Sequence, residues 1–174
     1  NVPRLKILNN ELIGSLSLMG ARIDDLTLVN YRETLDPESD QIRFLKKVNN
    51  EKPFFVQFGW STPDEIEVPN GNSIWKSADK ILTPKKNVTI TWENNQGLKF
   101  FQKISIDENF IIKVEQTVLN ESKDTIRLYP YGLIRRTGEP ATTDFFVLHE
   151  GPLGVFDGSL SEKSYSDLKE SGQK

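Results

Sequence analysis

The chain has 174 residues, 36% of them hydrophobic and 27% charged, with no cysteine and a formal net charge of −3. That balance fits one folded domain with its own core and excludes a disordered tail. The absent thiols exclude a disulfide framework and thiolate metal chemistry, and the slight acidity gives no general attraction to nucleic acid or anionic lipid.

Apolar runs such as Phe54-Phe55-Val56 are far shorter than the roughly 20 residues of a spanning helix. No apolar stretch backs the opening Asn1-Val2-Pro3-Arg4, so no signal peptide is expected there. A stretch taken from a longer protein reads the same way.

Alternation with a period of two dominates the chain. Leu12, Gly14, Leu16 and Leu18 share one face, with Ser15 and Ser17 on the other. A turn at Met19-Gly20 and alternation of Leu26 and Leu28 around Thr27 complete a predicted hairpin. After the polar residues 36–40, the aromatic run at 54–60 predicts a buried strand. Residues 64–86 follow Pro63 and hold Pro69, Pro84 and the turn pair Asn70-Gly71, which predicts a long excursion with short extended pieces.

The clearest pattern comes next. Val88, Ile90 and Trp92 alternate with Thr89 and Thr91. Leu98, Phe100, Gln102, Ile104 and Ile106 follow a turn at 94–97, and Phe110, Ile112, Val114, Gln116 and Val118 follow a turn at Asp107-Glu108-Asn109. Three strands with polar turns predict a meander covering one side of a core. Ile90, Trp92, Phe100, Ile104, Ile112 and Val114 are its expected buried residues.

Ile126 and Leu128 predict the start of another strand, ending near Leu133, and residues 145–148 predict one more. Gly151, Pro152, Gly154 and Gly158 are expected to break regularity. Tyr165 and Leu168 behind a serine cap predict a short helix within 161–170. The sum is an all-β fold of two packed antiparallel sheets, one domain over residues 1–174, with a short C-terminal helix.

Few residues suggest chemistry. His149 is the sole histidine, and no Gly-x-Ser-x-Gly elbow accompanies it. It is expected to be a hydrogen-bonded histidine at a strand end. One histidine without cysteine makes a poor zinc site. Asp24-Asp25 lie on adjacent strand positions, which point to opposite faces. Asp107-Glu108-Asn109 lacks the glycine and terminal glutamate of a calcium loop and predicts a plain turn. The sequons Asn87-Val88-Thr89 and Asn120-Glu121-Ser122 are matches that an asparagine-rich chain produces by chance. No catalytic, cofactor-binding or metal-binding residue is therefore assigned.

The candidate partner or ligand surface consists of Trp60, Trp75, Arg135 and Arg136. The two indoles sit at the edges of the irregular segment, where they either pack under a loop or line a cleft as stacking platforms. Arg135-Arg136, like Lys85-Lys86, is an isolated basic doublet. It is expected in a solvated loop with Gly138 and Pro140.

A collinear set of short segments is more specific than any one of them. It begins with Gly20-Ala21-Arg22-Ile23-Asp24 and Phe58-Gly59-Trp60. Leu82-Thr83-Pro84, Val88-Thr89-Ile90-Thr91-Trp92 and Gln96-Gly97-Leu98 follow, then Ile104-Ser105-Ile106-Asp107 and Tyr129-Pro130-Tyr131-Gly132-Leu133. Leu148-His149-Glu150-Gly151-Pro152 with Gly154-Val155 close it. In this order, from Leu12 to Leu168, the chain resembles the large periplasmic domain of the bacterial YidC membrane protein insertase family. Ala21 departs from the pattern, since many relatives have a second glycine there.

The resemblance implies a β-supersandwich like that of the galactose mutarotases, at the periplasmic face of the bacterial inner membrane, as part of a multi-pass membrane protein. It implies an accessory role beside the Sec translocon and the SecD–SecF complex, and nascent membrane proteins as clients of the full-length protein. The insertase core lies outside this sequence, so no insertion residue is carried over. The isolated domain is expected to be monomeric, without cofactors. Two other classes are weighed against this one. A carbohydrate-binding module would use Trp60 and Trp75. An epimerase would need an acid and a base on opposite sides of the sugar, which His149 alone does not supply.

Overall fold

The structure is a computed structural model that describes residues 2–138 and 149–171. The strand expected at 145–148 lies outside the described residues. The chain forms two compact units, Asn1–Thr137 and Gly138–Lys174.

In the first unit, β1 (Arg4–Leu8) and β2 (Leu12–Ser17) form an antiparallel pair. Asn9 organises their turn, its Oδ1 accepting from the amides of Glu11 at 2.9 Å and Leu12 at 2.6 Å. The chain then turns at Gly20 (φ 71°) and Ala21 (φ 51°) into β3 (Arg22–Arg32). The left-handed region is free to glycine and costs an alanine about 1 kcal/mol, so Ala21 holds its conformation through burial.

β4 (Gln41–Leu45) and β5 (Phe54–Ser61) both pair with β3. The irregular segment contributes only β6 (Lys76–Ser77) and β7 (Ile81–Leu82). The meander is β8 (Val88–Glu93), β9 (Leu98–Ile106) and β10 (Ile112–Asn120), and β11 (Tyr129–Arg136) closes the unit.

The strands form a seven-stranded sheet in the order β11-β5-β3-β2-β1-β7, with β4 also on β3, and a four-stranded sheet in the order β10-β9-β8-β6. All pairings are antiparallel except β1 with β7. The sheets share one core. Leu5, Ile7, Leu16, Ile23 and Leu26 of the larger sheet meet Val88, Ile90, Leu98, Phe100 and Ile104 of the smaller.

Two glutamines of the inward rows cross the gap between the sheets. Gln102 Nε2 donates to the carbonyl of Phe58 and Gln116 Nε2 to that of Gly59, both at 2.9 Å. Buried amides with such partners avoid the penalty of an unmade hydrogen bond. At one end, Asn9 Nδ2 donates to the carbonyls of Asp107 at 2.8 Å and Asn109 at 2.6 Å, linking the β1–β2 turn to the β9–β10 turn.

The predicted hairpin, excursion and meander are all present, with three differences in the inward row. Ile90, Phe100 and Ile104 are buried, but Trp92, Ile112 and Val114 are only half-buried. Trp92 tilts against Phe100 near the end of its strand. Ile112 and Val114 lie on β10, which among the described residues ends its sheet and has a neighbour on one side only.

The outward face of the small sheet carries a ladder of ion pairs. Lys76–Glu93 (3.2 Å), Lys99–Glu121 (2.9 Å), Lys103–Glu115 (3.7 Å) and Lys113–Glu115 (2.6 Å) mark it as a solvated face.

The second unit differs from expectation. The glycines of 151–158 do not break regularity. They shape a hairpin of β12 (Leu153–Phe156) and β13 (Ser159–Glu162). Asp157 (φ 50°) and Gly158 (φ 78°) form its two-residue turn, the Asp-Gly pair typical of tight hairpins. Helix α1 (Tyr165–Ser171) follows. Ser164 Oγ accepts from the amide of Asp167 at 3.0 Å, and Asp167 Oδ2 accepts from the amide of Ser164 at 3.1 Å, a reciprocal cap. A hydrogen bond from the Ser164 side chain first, then the one from its amide, hold the Asp167 carboxyl below its ordinary range.

Candidate functional site

The four residues singled out from the sequence fall into two groups. Trp60 and Trp75 are core residues, 5% and 2% exposed. Their rings stack 6.2 Å apart, and Trp60 meets Phe100 edge-on at 5.1 Å. Trp75 is held there because its amide donates to the carbonyl of Leu18 at 2.8 Å. The irregular segment therefore folds back onto the β2–β3 turn and packs its tryptophan inside. The indoles line no cleft, which removes the stacking platform that a carbohydrate site needed.

Arg135 and Arg136 lie in β11 rather than in a loop, because the strand begins at Tyr129 instead of Ile126 and runs three residues past Leu133. Each sits across from a phenylalanine of β5, Arg135 from Phe55 and Arg136 from Phe54. The Arg136 guanidinium is 5.1 Å from the centre of the Phe54 ring, a cation–π contact. Among the described residues no carboxylate forms an ion pair with either arginine.

Every residue of β11 is exposed. Directly opposed residues share a face. Tyr129, Tyr131, Leu133 and Arg135 thus lie with Gly59, Gln57 and Phe55 on the outward side, and Ile134 and Arg136 lie with Val56 and Phe54 on the inward side. A Cβ at Gly59 would stand 2.6 Å from the Tyr131 hydroxyl, so this glycine gives the tyrosine ring its seat. Arg22 covers Phe55 from the other flank, 5.6 Å from its ring centre.

The approach to β11 is fixed by Arg127 and Asp64. The guanidinium donates to Asp64 Oδ1 from Nη2 at 2.6 Å and from Nε at 3.1 Å, and the Arg127 amide donates to Oδ2 at 2.8 Å. The side-chain bonds first, then the amide, hold the Asp64 carboxyl below its ordinary range.

Sequence spacing missed one cluster. A bulge between Ser15 and Leu16 sets Ser15 opposite Asp25 and Leu16 opposite Ile23, so Asp24 is the extra residue. The two carboxylates consequently join one network, Asp24 through Arg4 and Asp25 through Ser15. Arg4 donates to Ser15 Oγ at 2.8 Å and to Asp24, Ser15 Oγ donates to Asp25 Oδ2 at 2.8 Å, and Lys47 pairs with Asp25 at 3.2 Å. Each acid has its own cation, which makes this a satisfied structural network.

His149 also differs from expectation: its Nε2 is buried without a hydrogen-bond partner among the described residues. The described residues contain no group of acids and histidine able to hold a metal ion and no helix long and apolar enough to cross a membrane.

A family model described as the YidC periplasmic domain matches residues 4–174. The chain is similar to the membrane protein insertase YidC of Methylobacterium nodulans, 40% identical over 167 residues that cover 95% of this chain and 28% of the relative. The Dinoroseobacter shibae insertase is 42% identical over 173 residues, covering 97% and 28%. That of Rickettsia bellii is 38% identical over 169 residues, covering 97% and 30%. The chain thus spans less than a third of the length of these relatives. Matched along nearly its whole length, it belongs to the YidC periplasmic domain family, which stands on the periplasmic side of the bacterial inner membrane.

Proposed function

We propose that this chain is a non-catalytic accessory domain of a YidC-type insertase. It supports the insertion and folding of membrane proteins by contacting translocon accessory proteins, such as the SecD–SecF complex, or nascent chains. The supporting observation is β11, the edge strand of its sheet among the described residues, exposed from end to end, whose outward face carries Tyr129, Tyr131, Leu133 and Arg135. Sheet edges accept extended peptides through main-chain hydrogen bonds, and tyrosine and arginine are frequent anchors of such contacts. The strands of the ion-paired small sheet carry no tyrosine and no arginine.

Arg135 and Arg136 are the residues of this strand whose charge selects an acidic or carbonyl-rich partner. The test is recovery of translocon accessory subunits by the intact insertase carrying Arg135→Ala and Arg136→Ala. Reduced recovery with unchanged insertase abundance supports the assignment. Unaltered recovery removes the two arginines from the partner surface.

A further inference from the structure

We propose that Asn70 is a modification site: its side chain deamidates against the backbone of Gly71 whenever the turn at 70–73 opens, and the isoaspartyl product keeps that turn from closing again. The proposal holds whichever partner β11 takes.

Asn70-Gly71 is the only asparagine–glycine pair in the chain. Glycine lacks the Cβ that would shield its own amide nitrogen from the side chain before it. Asn70 is exposed. Neither the Gly71 amide nor Asn70 Nδ2 donates to an acceptor among the described residues. The attacking nitrogen and the leaving group are therefore both unengaged.

Hydrogen bonds hold the turn closed. The Ser73 amide donates to the Asn70 carbonyl at 3.1 Å, the Asn70 amide to Ser73 Oγ at 2.9 Å, and the Asn72 amide to Asn70 Oδ1 at 2.8 Å. Ring closure needs the carboxamide carbon to swing onto the Gly71 nitrogen, so these bonds oppose it until the turn opens locally. Two further bonds fasten the turn to the β2–β3 connection. Arg22 Nη2 donates to the Gly71 carbonyl at 2.6 Å, and the Gly20 amide to the Ser73 carbonyl at 2.8 Å. A Cβ at Gly71 would stand 2.6 Å from Arg22 Nη2. The residue that makes room for the guanidinium is thus the one that makes the pair labile.

In the open turn the Gly71 nitrogen bonds to Asn70 Cγ and gives up its proton. The Cγ–Nδ2 bond breaks, and ammonia leaves with that proton. Water then opens the cyclic imide. Cleavage at Cγ leaves aspartate in an unchanged main chain, still able to accept from the Asn72 amide. Cleavage at the main-chain carbonyl leaves isoaspartate, whose side-chain methylene has entered the main chain. The lengthened turn cannot bring the Gly71 carbonyl to Arg22 and the Ser73 carbonyl to Gly20 together. Trp75, two residues on and bonded to Leu18, loses its fixed approach to the core.

The test follows the peptide containing Asn70 by mass spectrometry after the full-length protein stands in mildly alkaline buffer, folded or in denaturant. The readout is the mass gained when an amide becomes an acid. Asp157-Gly158 forms the same ring by losing water and regains it, so it gives no such signal. Asn70 should convert in denaturant, and in the folded protein more slowly by the factor that protects the Gly20 amide from exchange. Arg22→Ala, or Ser73→Ala if the arginine variant does not fold, should speed the folded-state conversion by about tenfold, as loss of a bond holding the closed turn requires. Isoaspartyl protein should lose protection at the Gly20 amide, whereas Asn70→Asp should keep it. Folded-state conversion as fast as in denaturant, no folded-state conversion, or isoaspartyl protein with the Gly20 amide still protected would overturn the proposal.

Discussion

Trp60, Trp75 and Phe100 form an aromatic knot in which each ring touches the next, with Trp60 between the other two. Truncation of a buried tryptophan to alanine removes about 3–5 kcal/mol through lost transfer energy and the cavity left behind. Trp75→Ala should therefore lower the stability of the domain by that order, read as a fall in the denaturation midpoint. Arg135→Ala should stay within about half a kcal/mol. A Trp75→Ala protein as stable as the parent would mean that the indole is a surface group after all. The sequence favours packing under a loop for both tryptophans and leaves a cleft as the alternative, because flanking prolines and glycines mark a loop without saying which way its side chains turn. The same limit applied to Asp24 and Asp25. Strict alternation sends neighbours to opposite faces, and only the bulge at Ser15, which leaves no mark in composition, brings them together.

The strands that were legible are those with strong one-sided alternation. β8, β9 and β10 follow Val88-Ile90-Trp92 and its successors residue by residue, since one face meets a core and the other water. β1 and β4 escaped notice. β1 is only five residues long and sits next to Asn9-Asn10, while β4 pairs irregularly with β3 through two register shifts. The start of β11 was misplaced for a definite reason. Ile126 and Leu128 supply the alternation, but both pack against the core from an irregular segment, and Arg127 is drawn to Asp64. That pair has a pH signature. The folded Asp64 carboxyl lies below its ordinary range, so the contribution of the pair is present above the unfolded value of about 3.9. It is lost as pH falls through the lower folded value. Arg127→Met should raise the Asp64 titration midpoint toward the ordinary range and remove this acid-side loss. Carboxyl titration followed by NMR reads both, and an unmoved Asp64 midpoint would contradict the assigned cause.

Taken as a body, the first unit has three kinds of surface, and their chemistry divides the work. The outward face of the small sheet is a ladder of paired lysines and glutamates, which favours water over partners. The inward row of β10, with Ile112, Val114 and Val118, is apolar and half-buried. The outward side of β11 combines two tyrosines, a leucine and an arginine on a strand that ends its sheet among the described residues. The class of the fold and the family were readable from the order of short motifs, but this division was not, because it depends on which strands end up at the edges of unequal sheets. The most direct measurement places a photoreactive residue at Leu133 or Arg135 on β11 and, as controls, at Lys103 or Lys113 on the ladder, in the full-length insertase in its native membrane. Adducts with translocon subunits or nascent chains from the β11 positions, with none from the ladder, is the predicted result; adducts from the ladder alone, or equally from both faces, would contradict it.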